Sequence, residues 1–371
     1  MDKRFRKHES VRVEIKIKKF SMNQDLKDIV KNLMMPGKGL LAADESNASV
    51  EKRFAPIGLE NTEDNRRAFR ELFLTAPGIG KYISGIILYD ETLRQSASTG
   101  ESFVSILQKQ GIIAGIKVDL GLEPDPSSPN EKLTKGLDTL PARLATYVAL
   151  GARFAKWRAL ITITEQLPTQ TNIDANTATL AQYAKMCQVA GVVPIVEPEV
   201  FMEGDHSLEQ CELVTTRVHQ SLFLALHNAG VNLEGLILKS NMVIEGKDYS
   251  LPQPSSLVAA ATIRSFKKTI PTTIGGIVFL SGGQSEKRAT ENLNAIHQMQ
   301  ELPWVITFSY ARALQDSATK YWEGKPTNMA KAQTIFLHRA KMNSLAQRGQ
   351  YSSNLEMDGV DDFGAAQASQ D

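Results

Sequence analysis

Eight short apolar runs recur along this 371-residue chain, and their spacing limits the fold more than any other feature. In order they read KGLLAAD, ISGIILYD, IIAGIKVD, RFAKWRAL, VVPIVEPEV, LEGLILKS, GGIVFLSGG and WVITFSYAR. Near-continuous apolar character over so few residues marks strands covered on both faces. Most of the stretches between them are long enough for a helix of about a dozen residues, so strand and helix alternate, as parallel βαβ units do. Eight such units in one chain fit an α/β fold with a single closed (β/α)8 TIM barrel. An open doubly wound sheet divided into two domains is the alternative.

The intervening segments carry helix signals of their own. After the first run, Phe69, Leu72 and Phe73 fall one helical turn apart behind the candidate caps Asn61 and Thr62. Before the fifth, Leu180, Tyr183, Ala184 and Cys187 share a helical face, with Gly191 placed where a helix stops. The SLEQ of residues 207–210 is a capping-box pattern that opens a helix able to run to Gly230. No Pro/Gly/Ser-rich linker divides the middle of the chain. The expected organisation is a basic N-terminal arm over residues 1–22, a barrel over 23–347 and an acidic, flexible tail over 348–371.

If the runs are barrel strands, their polar residues should gather at the C-terminal ends, where such barrels carry their chemistry. Asp44 closes the first run, Lys117 the third and Lys239 the sixth. Lys156 stands in the fourth run, Glu197 and Glu199 in the fifth, Ser281 near the end of the seventh, and Arg312 follows the eighth. A lysine that ends an apolar strand either snorkels to water or is held for chemistry. Three of them at one barrel mouth favour the second use. A crowded cationic pocket binds phosphate, and it depresses the pKa of one lysine so that a neutral amine can attack a carbonyl. Nearby carboxylates then serve as general acid and base. The glycines of SGGQS let backbone N–H groups approach an anion at the place where barrels often hold phosphate.

Composition excludes several other classes. The net charge of +1 gives no whole-protein field for nucleic acid or membrane. No apolar stretch reaches the roughly 18 residues that span a bilayer, and the first residues lack a signal-peptide core, so the expected compartment is the cytoplasm. Two cysteines, Cys187 and Cys211, make no disulfide framework. His206, His219 and His227 show no familiar zinc spacing, and neither a metal nor a cofactor is expected. Residues 1–20 hold a net +5, concentrated in an arm whose VRVEIKIKK alternates apolar and charged positions.

Taken in order, GKGLLAADES, IGLENTEDNRR, GIKVD, FAKWR, PIVEPE, LEGLILKSNMV, FLSGGQSE and FSYARALQ resemble class I fructose-1,6-bisphosphate aldolase, the metal-independent Schiff-base enzyme of glycolysis and gluconeogenesis. The resemblance implies a lyase on a (β/α)8 barrel, usually a homotetramer, that cleaves fructose 1,6-bisphosphate reversibly to dihydroxyacetone phosphate and glyceraldehyde 3-phosphate. By that match Lys239 forms the Schiff base, and Glu197 is the acid–base with Glu199 and Lys156 beside it. Lys156 also supplies charge that favours a neutral Lys239. Asp44 matches the carboxylate that takes the C4 hydroxyl proton. Ser281, Gly282, Gly283, Ser309 and Arg312 match the site of the carbon-1 phosphate. Ser46, Ser49, Lys52, Arg53 and Lys117 match contacts on the other side, and Arg158 either touches phosphate or braces the rim. Trp157 is read as packing.

The chain departs from animal members at its end. Those finish in a tyrosine, whereas no tyrosine follows Tyr351 here, and from residue 352 onward there are five acidic and no basic residues. Two alternatives stand beside the main reading: a Schiff-base aldolase preferring another phosphorylated ketose, and a non-catalytic binding protein on the same fold.

Overall fold

The apolar runs become strands at the expected places. In the computed structural model, which describes residues 24–359, they are β1 (Gly39–Ala43), β2 (Ile83–Leu88), β3 (Ile113–Lys117), the added pair β4 (Leu122–Asp125) and β5 (Ser128–Thr134), then β6 (Phe154–Ile161), β7 (Val193–Val200), β8 (Ile237–Ser240), β9 (Gly276–Phe279) and β10 (Ile306–Tyr310). All except β4 and β5 pair in parallel and in chain order, and β10 pairs back onto β1 to close the barrel. Closure rules out the open doubly wound alternative. The antiparallel hairpin β4–β5 was not anticipated, because LEPDPSSPNEKLT is polar, proline-rich and without a clear apolar run.

Side chains alternate across a strand, so each barrel strand has an inward and an outward set. The outward set includes Leu41, Ala43, Ile86, Leu88, Ala155, Trp157, Val196 and Leu238, which pack with the surrounding helices in the larger core. Trp157 is fully buried there with its ring 5.5 Å from that of Tyr183, so it is packing, as read from the sequence. The inward set forms a second core: Leu40, Ala42, Ile87, Phe154, Val193, Ile195, Ile237 and Val278. Leu26, Val30 and Leu33, from a helix over residues 24–33, join the inward set and plug the N-terminal end of the barrel.

Phe154 fills the barrel axis because its neighbours leave room for it. A Cβ added at Gly115 would lie 2.2 Å from the Phe154 ring, so the third strand needs a residue without a side chain at that height. Around the barrel, the expected helix signals are used. Thr62 caps the helix Glu63–Leu74 by accepting from Asn65 N. Ser207 and Gln210 complete a capping box on Leu208–Asn228, and Gly230 follows at φ 61°.

Packing continues past Gln347. Tyr351 is buried, its N–H donates to Asn294 Oδ1 at 3.0 Å, and its hydroxyl donates to Glu356 Oε1 at 2.9 Å. Arg339 also donates to Glu356, at 2.6 Å. Burial disfavours the Glu356 carboxylate, but its hydrogen bonds to His338, Arg339 and Tyr351 hold its pKa at about 2. The arm expected at 1–22, and the chain beyond 359, lie outside the described residues. Among those described, no helix is long and apolar enough to cross a membrane.

If the inner core carries the barrel, Phe154→Ala should lower unfolding stability by about 3–5 kcal/mol in urea titration. A loss below about 1 kcal/mol would show that the axis is not closely packed.

Candidate active site

The strand alternation that fills the barrel with apolar residues also loads its mouth. Followed two residues at a time toward the C-terminal end, inward positions switch from apolar to ionisable. Leu40 and Ala42 lead to Asp44, Ile113 and Gly115 lead to Lys117, and Phe154 leads to Lys156 and Arg158. Val193 and Ile195 lead to Glu197 and Glu199, while Ile237 leads to Lys239. These residues meet in a cavity of about 870 Å³ at the C-terminal ends of the strands.

Four of them form a continuous chain of alternating charge. Asp44 Oδ2 lies 2.7 Å from Lys156 Nζ, and Lys156 Nζ lies 3.2 Å from Glu197 Oε2. Glu197 Oε1 in turn lies 2.9 Å from Lys239 Nζ. No side chain in the series is more than 10% exposed, so water screens little of the interaction. Burial opposes each charge and the neighbours oppose burial. For Asp44, desolvation raises the pKa, yet Lys156, Lys239 and Lys117 overcome it and hold the carboxyl at about 2. For Lys156, desolvation works downward, but Asp44, Glu197 and Asp119 push its pKa well above the usual lysine value. Desolvation of Glu197 is likewise outweighed by Lys156 and Lys239, which lower its pKa. Lys156 is therefore a fixed ammonium between two carboxylates. Glu197 bridges the two lysines, with Oε2 toward Lys156 and Oε1 toward Lys239.

A site for an anion stands beside this chain. Gly282 and Gly283 take positive φ, 55° and 84°, in the turn after β9. A Cβ on Gly283 would lie 2.9 Å from Met202 Sδ and 3.2 Å from Arg312 Nη2, so glycine lets the turn and the guanidinium come together. Arg312 opens the helix Arg312–Trp322 and has no ion pair among the described residues. Ser309 Oγ is buried without a partner, and Ser281 lines the same wall. Unspent hydroxyl and guanidinium donors around a glycine turn make an anion site.

The opposite wall is more committed to its own structure. Ser46 caps the helix Asn47–Phe54, accepting from Ser49 N at 3.4 Å, and both serines line the cavity. Capping and a cavity position therefore coexist. Lys117 pairs with Asp119 at 2.7 Å, and Arg158 forms a close ion pair with Glu199. Lys52 and Arg53 are not brought into the cavity wall; Arg53 pairs with Glu45 and with Asp316, each at 2.8 Å. Sequence reading passed over Asp119, Glu45 and the outer wall of Tyr89, Asp90, Arg94, Arg143 and Tyr147. Asp90 and Asp119 do end apolar runs, the signal that found Asp44. Arg143 had none, because its place depends on how the helix Leu140–Ala149 lies against the mouth.

A family model described as "Glycolytic: Fructose-bisphosphate aldolase class-I" matches residues 25–366. The chain belongs to the class I fructose-bisphosphate aldolases. Such aldolases are lyases that cleave fructose 1,6-bisphosphate reversibly through a lysine Schiff base. A relative from Xanthomonas campestris pv. campestris, named "Probable fructose-bisphosphate aldolase class 1", is 50% identical over 329 residues, covering 88% of this chain and 98% of the relative. "Fructose-bisphosphate aldolase 4, cytosolic" of Arabidopsis thaliana is 48% identical over 323 residues, 87% of this chain and 82% of the relative. The solved aldolase of Plasmodium falciparum, in complex with TRAP and a small-molecule inhibitor, superposes with a TM-score of 0.88 at 45% identity, over 90% of this chain and 96% of that one.

The charge chain of this aldolase has a pH signature. The folded pKa of Asp44, about 2, lies below the ordinary 3.8, so its contribution is present above 3.8 and is lost as pH falls through about 2. The stability gap between the native protein and Asp44→Asn should therefore stay constant down to pH 3.8 and shrink toward about 2. A gap that does not change with pH in acid titration would contradict the ion-pair assignment.

Proposed function

We propose that Lys239 is the nucleophile with which this chain carries out the aldol cleavage of its family, and that the buried series Asp44–Lys156–Glu197–Lys239 is its catalytic machinery. The observation that carries the reading is that series, set beside an unspent anion site. Lys239, as the free amine, adds through Nζ to the C2 ketone carbon of the open-chain sugar, giving a carbinolamine. Glu197, 2.9 Å from Nζ, takes the proton that Lys239 gives up in becoming the free amine and returns it to the carbinolamine hydroxyl, which leaves as water, and an iminium remains. Asp44, kept ionised, takes the C4 hydroxyl proton as the C3–C4 bond breaks. The bonding pair moves into a C2–C3 enamine and neutralises the iminium, while the C4 end departs as glyceraldehyde 3-phosphate. Protonation of C3 and addition of water then release dihydroxyacetone phosphate and restore the amine.

The remaining residues place the two phosphates. Ser281, Gly282, Gly283, Ser309 and Arg312 take the phosphate on carbon 1. Ser46, Ser49, Lys117 and Arg158 face the carbon-6 end, with Lys52 and Arg53 behind them on the helix Asn47–Phe54, and Glu199 sets Arg158. The proton for C3 comes from water or a pocket residue. We further infer a cytoplasmic homotetramer. The cytosolic name of the Arabidopsis relative supports the compartment. Exposed Leu213, Leu224 and Leu257 on outer helices support burial between subunits. The barrel is read as one domain.

Steady-state kinetics on fructose 1,6-bisphosphate test the roles. Lys239→Met should abolish cleavage, Glu197→Gln should lower kcat by about 100- to 10,000-fold, and Arg312→Met should act mainly on KM, at about 1.5–3 kcal/mol. Full activity of Lys239→Met, or activity lost to EDTA and restored by zinc, would overturn the mechanism.

A further inference from the structure

The seam between β7 and β8 differs from its neighbours. The β6–β7 ladder continues without interruption from Phe154↔Val193 to Ile161↔Val200, and β8–β9 stays paired through Lys239↔Val278 and Ser240↔Phe279. Between β7 and β8 the recorded pairs are only Ile195↔Ile237 and Val196↔Leu238. Pairing therefore stops one residue short of Glu197 and Lys239, and the two strands part where those side chains must face each other.

Above the opening the seam is closed again by a side chain. Asn241 Oδ1 accepts from Val200 N at 3.2 Å, taking the place of a ladder bond. The amide nitrogen of Asn241 donates to Thr215 Oγ1 at 3.1 Å and to Met242 O at 3.0 Å, so both ends of the amide are fixed. Asn241, Thr215 and Ser240 are all buried. Ser240, next to Lys239, lies with Oγ 2.9 Å from Asn241 O and 3.2 Å from His219 Nε2. Burial depresses the His219 pKa to about 3, so the ring stays neutral across the working range and Ser240 meets no change of charge. A carboxamide is well suited to this place, because it supplies an acceptor to one strand and donors to the helix Leu208–Asn228 without adding a charge to the site.

We infer that Asn241, seated on Thr215, is a positioning residue for the aldol reaction: it clasps the parted ends of β7 and β8 and so sets the distance between Glu197 and Lys239. The inference rests on the assignment of Lys239 as nucleophile. A misplacement of that pair slows carbinolamine dehydration, the step that needs both groups, and leaves the phosphate contacts on β9 and β10 intact.

The test compares Asn241→Ala, Thr215→Val and Thr215→Ser by kcat, KM and the rate of borohydride trapping at saturating fructose 1,6-bisphosphate. Thr215→Val removes the hydroxyl at nearly constant shape, and Thr215→Ser keeps it, which separates clasping from folding. Asn241→Ala should lower kcat and the trapping rate by about 10- to 100-fold with KM within about 2-fold. Thr215→Val should lose part of kcat, about 3- to 10-fold, and Thr215→Ser should restore it. The clasp is wrong if Thr215→Val and Thr215→Ser behave alike, or if the loss falls on KM. Native protein that yields no adduct at Lys239 would instead defeat the underlying assignment.

Discussion

A lysine ammonium shared between two buried carboxylates governs the mouth of this barrel. Lys156 touches Asp44 on one side and Glu197 on the other, and Glu197 passes the contact on to Lys239. Any one of these groups left alone at this depth would cost several kcal/mol in desolvation. Together they keep Asp44 ionised and Lys156 protonated. Lys156, Glu197 and Lys239 stand on β6, β7 and β8 and Asp44 follows β1, so the arrangement exists only if the barrel closes with each strand in its proper register. The inner core supplies that condition: Phe154, Ile195 and Ile237 lock the strands two residues below Lys156, Glu197 and Lys239.

The same periodicity explains why so much was legible in the sequence. Strand runs with both faces covered announce themselves by composition, and a two-residue step fixes which polar residue points into the barrel. Asp44, Lys156, Glu197 and Lys239 stood out as polar residues in or at the ends of apolar runs, with roles implied by the family resemblance, and the structure brings them together. What the period cannot carry is the set of groups placed by longer connections. Arg143 and Tyr147 reach the wall because the helix Leu140–Ala149 leans over it, and the β4–β5 hairpin has too little apolar character to signal itself. Arg53 shows a different limit. Motif resemblance put it among the substrate contacts, while here Glu45 and Asp316 claim its guanidinium, a competition that only coordinates reveal.

The two walls of the cavity divide the work unequally. Around Gly282 and Gly283, donors stand unspent, which suits a phosphate that must be captured from water. On the other wall, Ser46 caps a helix, Lys117 holds Asp119 and Arg158 holds Glu199. Groups already paired give less net energy to a ligand, because each new contact replaces an old one. On the proposed assignment, binding at that end exchanges internal contacts for substrate contacts, and the carbon-1 phosphate is the stronger anchor. In the proposed mechanism, an anchor next to β8 and β9 also holds the C2 carbonyl near Lys239, the relation that converts binding into orientation.

Borohydride reduction in the presence of fructose 1,6-bisphosphate, followed by peptide mass spectrometry, addresses the nucleophile most directly. The account predicts one covalent adduct on Lys239, absent without the sugar. An adduct on Lys156 or Lys117, or none at all alongside rapid cleavage, would contradict it.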